Sequence, residues 1–123
     1  MQTYQVVIVD DDDLALGTLQ RLVTFWGYDV VPFLTYEDAR AFLTRRSPDA
    51  LIVDVRLGSY NGLQLVHLAR QTTPHLNVVV MSGFDDSVLR QEAEHAGAVY
   101  MVKPVDTARL RQYLPGPGPA VKD

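Results

Sequence analysis

Four short runs of branched, uncharged residues each stop at polar residues, and that repeated ending constrains the chain more than any other feature. Val6-Val7-Ile8-Val9 stops at Asp10-Asp11-Asp12-Asp13 and Leu51-Ile52-Val53 at Asp54. Val78-Val79-Val80-Met81 stops at Ser82-Gly83, and Val99-Tyr100-Met101-Val102 at Lys103-Pro104. Continuous apolar runs of this length read as strands buried on both faces, the pattern of a parallel sheet. If the strands are parallel, all four polar endings gather on one edge of that sheet. A carboxylate such as Asp54 is costly to bury alone, so at such an edge it needs a cation or a chemical task.

The stretches between the runs have helical spacing. Leu16, Leu19, Leu22, Val23 and Trp26 make one stripe, closed by Gly27 at a C-cap position. Tyr28 to Phe33 reads as a further strand, and Pro32 inside it belongs at a sheet edge because it cannot donate to a ladder. Thr35 with Asp38 resembles a capping box for a helix burying Ala39, Phe42 and Leu43. Residues 56–62 are turn chemistry, and a third helix runs from Leu63 to Arg70. Asp85, Asp86 or Ser87 can cap a fourth helix carrying Val88, Leu89, Ala93 and Ala96. Asp106 or Thr107 starts a short fifth with Leu110 and Leu114 inward. Asp12 or Asp13 can cap the first helix, and Phe25 and Trp26 read as core or rim. Five strands alternating with five helices predict an α/β, flavodoxin-like doubly wound parallel sheet in the order 2-1-3-4-5. A rule drawn from sheets of this kind places ligands outside the carboxyl ends of strands one and three. Those ends are Asp10-Asp11 and Asp54.

The chemistry of that edge follows from its residues. Carboxylates from Asp10, Asp11 and Asp54 brought close together either raise one another's pKa or recruit a hard cation. Oxygen ligands without His or Cys point to Mg²⁺. Lys103 supplies a point charge suited to a phosphoryl oxygen, Ser82 a hydroxyl, and Gly83 room for backbone approach. Such a set suits phosphoryl transfer, with Asp54 as the natural nucleophile and the acid pair free to hold the metal.

With Val9-Asp10-Asp11, Asp54, Gly62, Ser82-Gly83 and Lys103-Pro104 in this order and strand context, the chain resembles the receiver domain of two-component response regulators. The likeness runs from about Tyr4 to Leu114, and implies a receiver domain over residues 1–114 with a Pro/Gly-rich tail or linker over 115–123. It implies that Asp54 is the phosphoacceptor for a sensor histidine kinase or a histidine phosphotransfer protein. Asp11 and Asp54 would ligate Mg²⁺ directly, Asp10 through water or as a secondary ligand, and Arg56 through its backbone carbonyl. Ser82, Gly83 and Lys103 would bind the phosphoryl group, and Lys103-Pro104 would be a cis peptide. Ser82 and Tyr100 would form the switch, altering the surface of the fourth helix, fifth strand and fifth helix, where self-dimerisation is possible. Partner specificity would lie on the first helix and nearby loops. Gly58 stands where a proline is common, which predicts a more mobile loop, and Ser82 replaces the commoner threonine. Arg56 and Phe84 flank the phosphoryl group in relatives and would control access of water to it.

Other classes fit less well. A phosphohydrolase of the haloacid dehalogenase type would need its nucleophile in an Asp-x-Asp after the first strand, which leaves the Asp54 strand unexplained. A flavodoxin-like electron carrier would need a phosphate-cradling loop where four aspartates stand. A receiver-like interaction module without phosphorylation would not need Asp11, Asp54, Ser82 and Lys103 together. A net charge of −4 argues against nucleic-acid binding by this domain. The absence of cysteine excludes disulfides and thiolate metal sites, and with no long apolar run to enter a membrane, the expectation is a cytoplasmic protein. His67, His75 and His95 have no partner at metal-ligand spacing and read as surface residues, and Arg109 and Arg111 as a solvated pair.

Overall fold

The computed structural model describes residues 3–116; the remainder of the expected tail, from Pro117 onward, lies outside the described residues. The elements are β1 (Gln5–Val9), α1 (Asp13–Phe25), β2 (Asp29–Phe33), α2 (Tyr36–Arg45), β3 (Ala50–Asp54), β4 (Arg56–Leu57) and β5 (Tyr60–Asn61). There follow α3 (Leu63–Thr72), β6 (Asn77–Ser82), α4 (Ser87–His95), β7 (Val99–Val102) and α5 (Thr107–Gln112). Five strands form one parallel sheet in the order β2-β1-β3-β6-β7. Setting aside the two-residue pair β4-β5, this is the expected doubly wound, flavodoxin-like order. β2, with Pro32, lies at the edge. Among the described residues no helix is long and apolar enough to cross a membrane.

Alternate residues of each strand feed opposite faces, because successive side chains point to opposite sides of a sheet. Val7, Val9, Leu51, Val53, Val78 and Val80 pack with α2, α3 and α4 residues such as Leu43, Val66 and Ala93. Val6, Ile8, Ile52, Val79, Met81 and Met101 pack under Leu16 and Val23 of α1, Trp26 at its C-cap and Leu110 of α5. Both faces are covered by helices, which explains why these strands read as unbroken apolar runs.

Side-chain caps fix where four of the five helices start. Asp12 caps α1 through the amides of Leu14 and Ala15 at 3.0 and 3.3 Å. Thr35 accepts from Asp38 N at 3.2 Å, Asp86 from Val88 and Leu89, and Asp106 from Arg109. Gly27 closes α1 at φ 98°, a conformation costly for other residues.

Several details differ from expectation. Phe25 is 80% exposed, since the last turn of α1 brings Trp26, not its neighbour, onto the sheet. Val88 is also exposed, so α4 buries a narrower face than its apolar content suggests, with Ala93 at its centre. α3 runs to Thr72, one half-turn beyond Arg70. The turn after Asp54 contains a small antiparallel ladder that pairs Arg56 with Asn61 and Leu57 with Tyr60. Arg111 is not simply solvated: its guanidinium lies 5.3 Å from the centre of the Trp26 ring. Tyr28 donates its hydroxyl to the Pro115 carbonyl at 2.9 Å, which ties the start of the tail to the sheet.

Candidate functional site

Register brings the polar endings together. Val9 pairs with Val53, Asp54 with Met81 and Ser82 with Val102, so the strands end within about a residue of one another. The ladder continues one step further through Val55 N to Met81 O at 2.8 Å and Lys103 N to Ser82 O at 2.7 Å. Asp10, Asp54, Ser82 and Lys103 therefore share one edge for backbone reasons, before any side-chain contact is counted.

At that edge Lys103 Nζ donates to Asp10 Oδ2 and to Asp54 Oδ2, each at 3.0 Å. Asp10 is buried and accepts a second bond from Asp12 N at 3.0 Å through Oδ1. Asp54 is also buried, and its Oδ1 accepts from Arg56 N at 3.4 Å. Asp11 is exposed and turned toward the loop, where its Oδ2 accepts from Gly58 N at 2.9 Å. The Lys103-Pro104 peptide is cis.

Burial pushes the Asp54 carboxyl above the ordinary aspartate value, and the hydrogen bond from Lys103 opposes that push without cancelling it. Burial alone would pull the Lys103 ammonium down, but its hydrogen bonds to Asp10 and Asp54 leave it above 10.5. One cation thus serves two buried carboxylates, and positive charge is in short supply at Asp54.

Carboxylate oxygens of Asp10, Asp11 and Asp54 lie within 4.8 Å of one another. An all-oxygen cluster with a charge deficit fits a hard divalent cation such as Mg²⁺. Beside it opens a cavity of about 350 Å³ whose walls include Asp11, Asp54, Arg56, Ser82, Phe84 and Lys103. Ser82 is buried, with Oγ accepting from Phe84 N at 3.2 Å. Gly83 lines the same cavity, and a side chain there would meet nothing within 4 Å. The Arg56 guanidinium lies 5.8 Å from the Phe84 ring centre, so these two residues form one wall.

Tyr100 is buried, and its hydroxyl donates to the Phe84 carbonyl at 2.7 Å. Arg90 lies over its ring at 4.7 Å and is itself held by Asp85 at 2.8 Å. Sequence reasoning missed Arg90, the Phe84 carbonyl and the Gly58 amide. Two of these are main-chain groups with no residue letter to betray them. Gly58 sits at φ 61°, using its backbone freedom to reach Asp11.

A five-stranded parallel sheet of this order, with paired acids, a lone strand-end aspartate and a lysine at its carboxyl edge, defines a flavodoxin-like α/β domain with an acidic site at its switch point. Residues 6–115 match the family model of the response regulator receiver domain, and the chain belongs to that family. It is 31% identical over 110 residues to the transcriptional regulatory protein ZraR of Salmonella typhimurium, covering 89% of this chain and 25% of that protein. It is 33% identical over 100 residues to the DNA-binding transcriptional regulator NtrC of Klebsiella pneumoniae, covering 80% and 21%. The chain thus spans about a quarter of such relatives. A receiver domain protein from Methanospirillum hungatei superposes with a TM-score of 0.83 at 24% identity, over 90% of both chains. One from Clostridium thermocellum gives 0.79 at 25% identity, over 89% of this chain and 90% of that one. Family membership makes this a two-component signalling domain, a class that works with histidine kinases.

Proposed function

We propose that the domain is a phosphorylation-controlled switch in which Asp54 accepts a phosphoryl group from a histidine kinase or a phosphotransfer protein. The observation that carries this reading is Lys103 Nζ at 3.0 Å from Asp54 beside a cavity that also holds Ser82. An Asp54 oxygen attacks phosphorus, the new O–P bond forms as the P–N bond to the donor imidazole breaks, and the imidazole leaves. Lys103 exchanges a carboxylate contact for a phosphoryl oxygen, and Ser82 donates its hydroxyl to another. Mg²⁺ bound by Asp11, Asp54 and the Arg56 carbonyl, with Asp10 behind, would supply the remaining positive charge. Catalysis by this domain is confined to its own phosphorylation and dephosphorylation.

Movement of Ser82 toward the phosphoryl group would reach Tyr100 through residue 84, whose amide meets Ser82 and whose carbonyl meets Tyr100. In this reading the α4–β7–α5 surface carries the output and any self-association. The donor docks beside α1, where Leu14 is exposed and a groove of about 420 Å³ runs past Thr18, Leu19, Leu22, Pro104 and Val105. We place the domain in the cytoplasm with its donor, as a receiver unit ending near residue 114, without nucleic-acid contacts of its own.

Intact mass after incubation with Mg²⁺ and a small acyl phosphate tests the assignment. One phosphoryl adduct is expected, lost in Asp54→Asn and after EDTA treatment. No adduct on a folded, Mg²⁺-binding protein favours an interaction module. Steady phosphate release without Asp54 sinks the reading and favours a phosphohydrolase. The Arg56–Phe84 wall gives a second expectation: the phosphorylated form of Arg56→Asn should decay faster than the parent, because water reaches the phosphorus more freely. Equal decay rates would remove Arg56 from this role.

A further inference from the structure

We infer that the main-chain N–H of Gly58 is a positioning group for Asp11, holding the exposed carboxylate in the orientation that receives the divalent cation. This rests on the metal reading given above and adds a residue to it. Asp11 is exposed, and Gly58 N, at 2.9 Å from Oδ2, is its one hydrogen-bond donor among the described residues. An exposed aspartate otherwise samples several rotamers, and ordering it on binding costs free energy. A carboxylate has four lone-pair sites, so Oδ2 can keep the amide while Oδ1 stays available to an ion.

The donor sits in a turn with contacts on both sides. Gly58 sits between the two strands of the Arg56–Asn61 ladder, and at φ 61° its backbone is in a region that other residues enter only with strain. On the far side of that hairpin, the Tyr60 ring stacks on Tyr36 of α2 at 4.2 Å with 7° between planes. The hairpin is thereby held between α2 and the acidic edge. It also carries the Arg56 carbonyl, so a single element would present one ligand directly and orient another. Partners that hydrogen-bond a metal ligand commonly contribute ten- to a hundredfold in affinity.

Calorimetric titration of Mg²⁺ into the full chain tests the inference with two variants. Replacing Gly58 by glycolic acid, an amide-to-ester change made by semisynthesis, removes the N–H and leaves the backbone free to keep φ 61°. Gly58→Asn keeps the N–H and tolerates positive φ, and a side chain at this position meets nothing within 4 Å. The ester chain should bind Mg²⁺ about tenfold more weakly. Gly58→Asn should stay close to the parent, with both variants unfolding normally in EDTA. Equal or tighter binding by the ester chain overturns the inference, and so does an equal loss in both variants, which would implicate loop shape instead. A parent chain that binds no Mg²⁺ takes down the metal reading itself. Should the ester chain fail to fold, amide exchange in the parent decides. The Gly58 amide should stay protected with and without Mg²⁺, and loss of protection on adding the ion would show competition, not support.

Discussion

Lys103→Met is expected to destabilise the metal-free domain by about 3 kcal/mol at neutral pH, the lower end of the range for breaking a buried ion pair by removing one partner. The lower end applies because the Lys103 side chain keeps 31% of its exposure, whereas Asp10 and Asp54 keep 2% and 10%. Without the ammonium, two carboxylates face each other with no countercharge. Burial already holds the Asp54 carboxyl above its usual value, and removing Lys103 frees that push from its main opponent. A carboxyl whose folded pKa is raised contributes stability that is fully present below its unfolded value and lost as pH rises through the folded one. The deficit of Lys103→Met should therefore shrink on acidification toward the ordinary aspartate range, where the carboxyls take up protons. The parent behaves differently on the alkaline side: a raised lysine contributes stability below 10.5 and loses it as pH climbs through its folded value. Denaturant melts across pH check both arms. A second substitution, Asp10→Asn, should recover part of the loss, because contacting partners are not additive. A Lys103→Met loss that is flat with pH and untouched by Asp10→Asn would mean that lysine packing, not charge, holds this edge.

Gly62→Ala is the other large effect. Gly62 has ordinary helical angles, φ −59° and ψ −22°, so its backbone asks for no glycine. Space does. A Cβ there would lie 2.1 Å from the Asp54 carbonyl oxygen and 3.0 Å from Val53 Cγ2. The obstacle is backbone at the end of a central strand, which cannot swing aside like a side-chain tip. Gly62 N also donates to Val55 O at 2.6 Å, so the approach is fastened from both directions. Overpacking of this kind costs about 3 kcal/mol, or roughly 10 °C in midpoint for a domain of this size. Thermal unfolding of Gly62→Ala checks it, and an unchanged midpoint would show that the 54–62 segment relaxes freely. Because the displaced atom belongs to Asp54, phosphoryl uptake should fall along with stability.

Asp10, Asp11, Asp54, Ser82 and Lys103 were legible in the sequence because a parallel sheet delivers successive strand ends to one edge, and the strands announce themselves as apolar runs. Pro32 placed β2 at the rim for an equally simple reason, its missing N–H. What stayed hidden depends on geometry that residue letters do not carry. Phe25 and Trp26 are neighbours of similar character, and the rotation of α1's last turn alone decides which is buried. The hairpin after Asp54 contains only two-residue strands, too short for any alternation to register. The Gly58 amide and the Phe84 carbonyl belong to the backbone, so their roles follow from φ, ψ and register.

The stacking of Arg111 on Trp26 bears on how this molecule can be watched in solution. Trp26 is the sole indole of the chain and ends a helix that begins beside the acidic edge and runs back along the sheet to its opposite rim. Its fluorescence is therefore expected to follow the seam between α1 and α5, where a guanidinium covers the ring, more than local chemistry at Asp54. Emission from this natural probe separates events confined to the acidic pocket from those that travel the length of the domain.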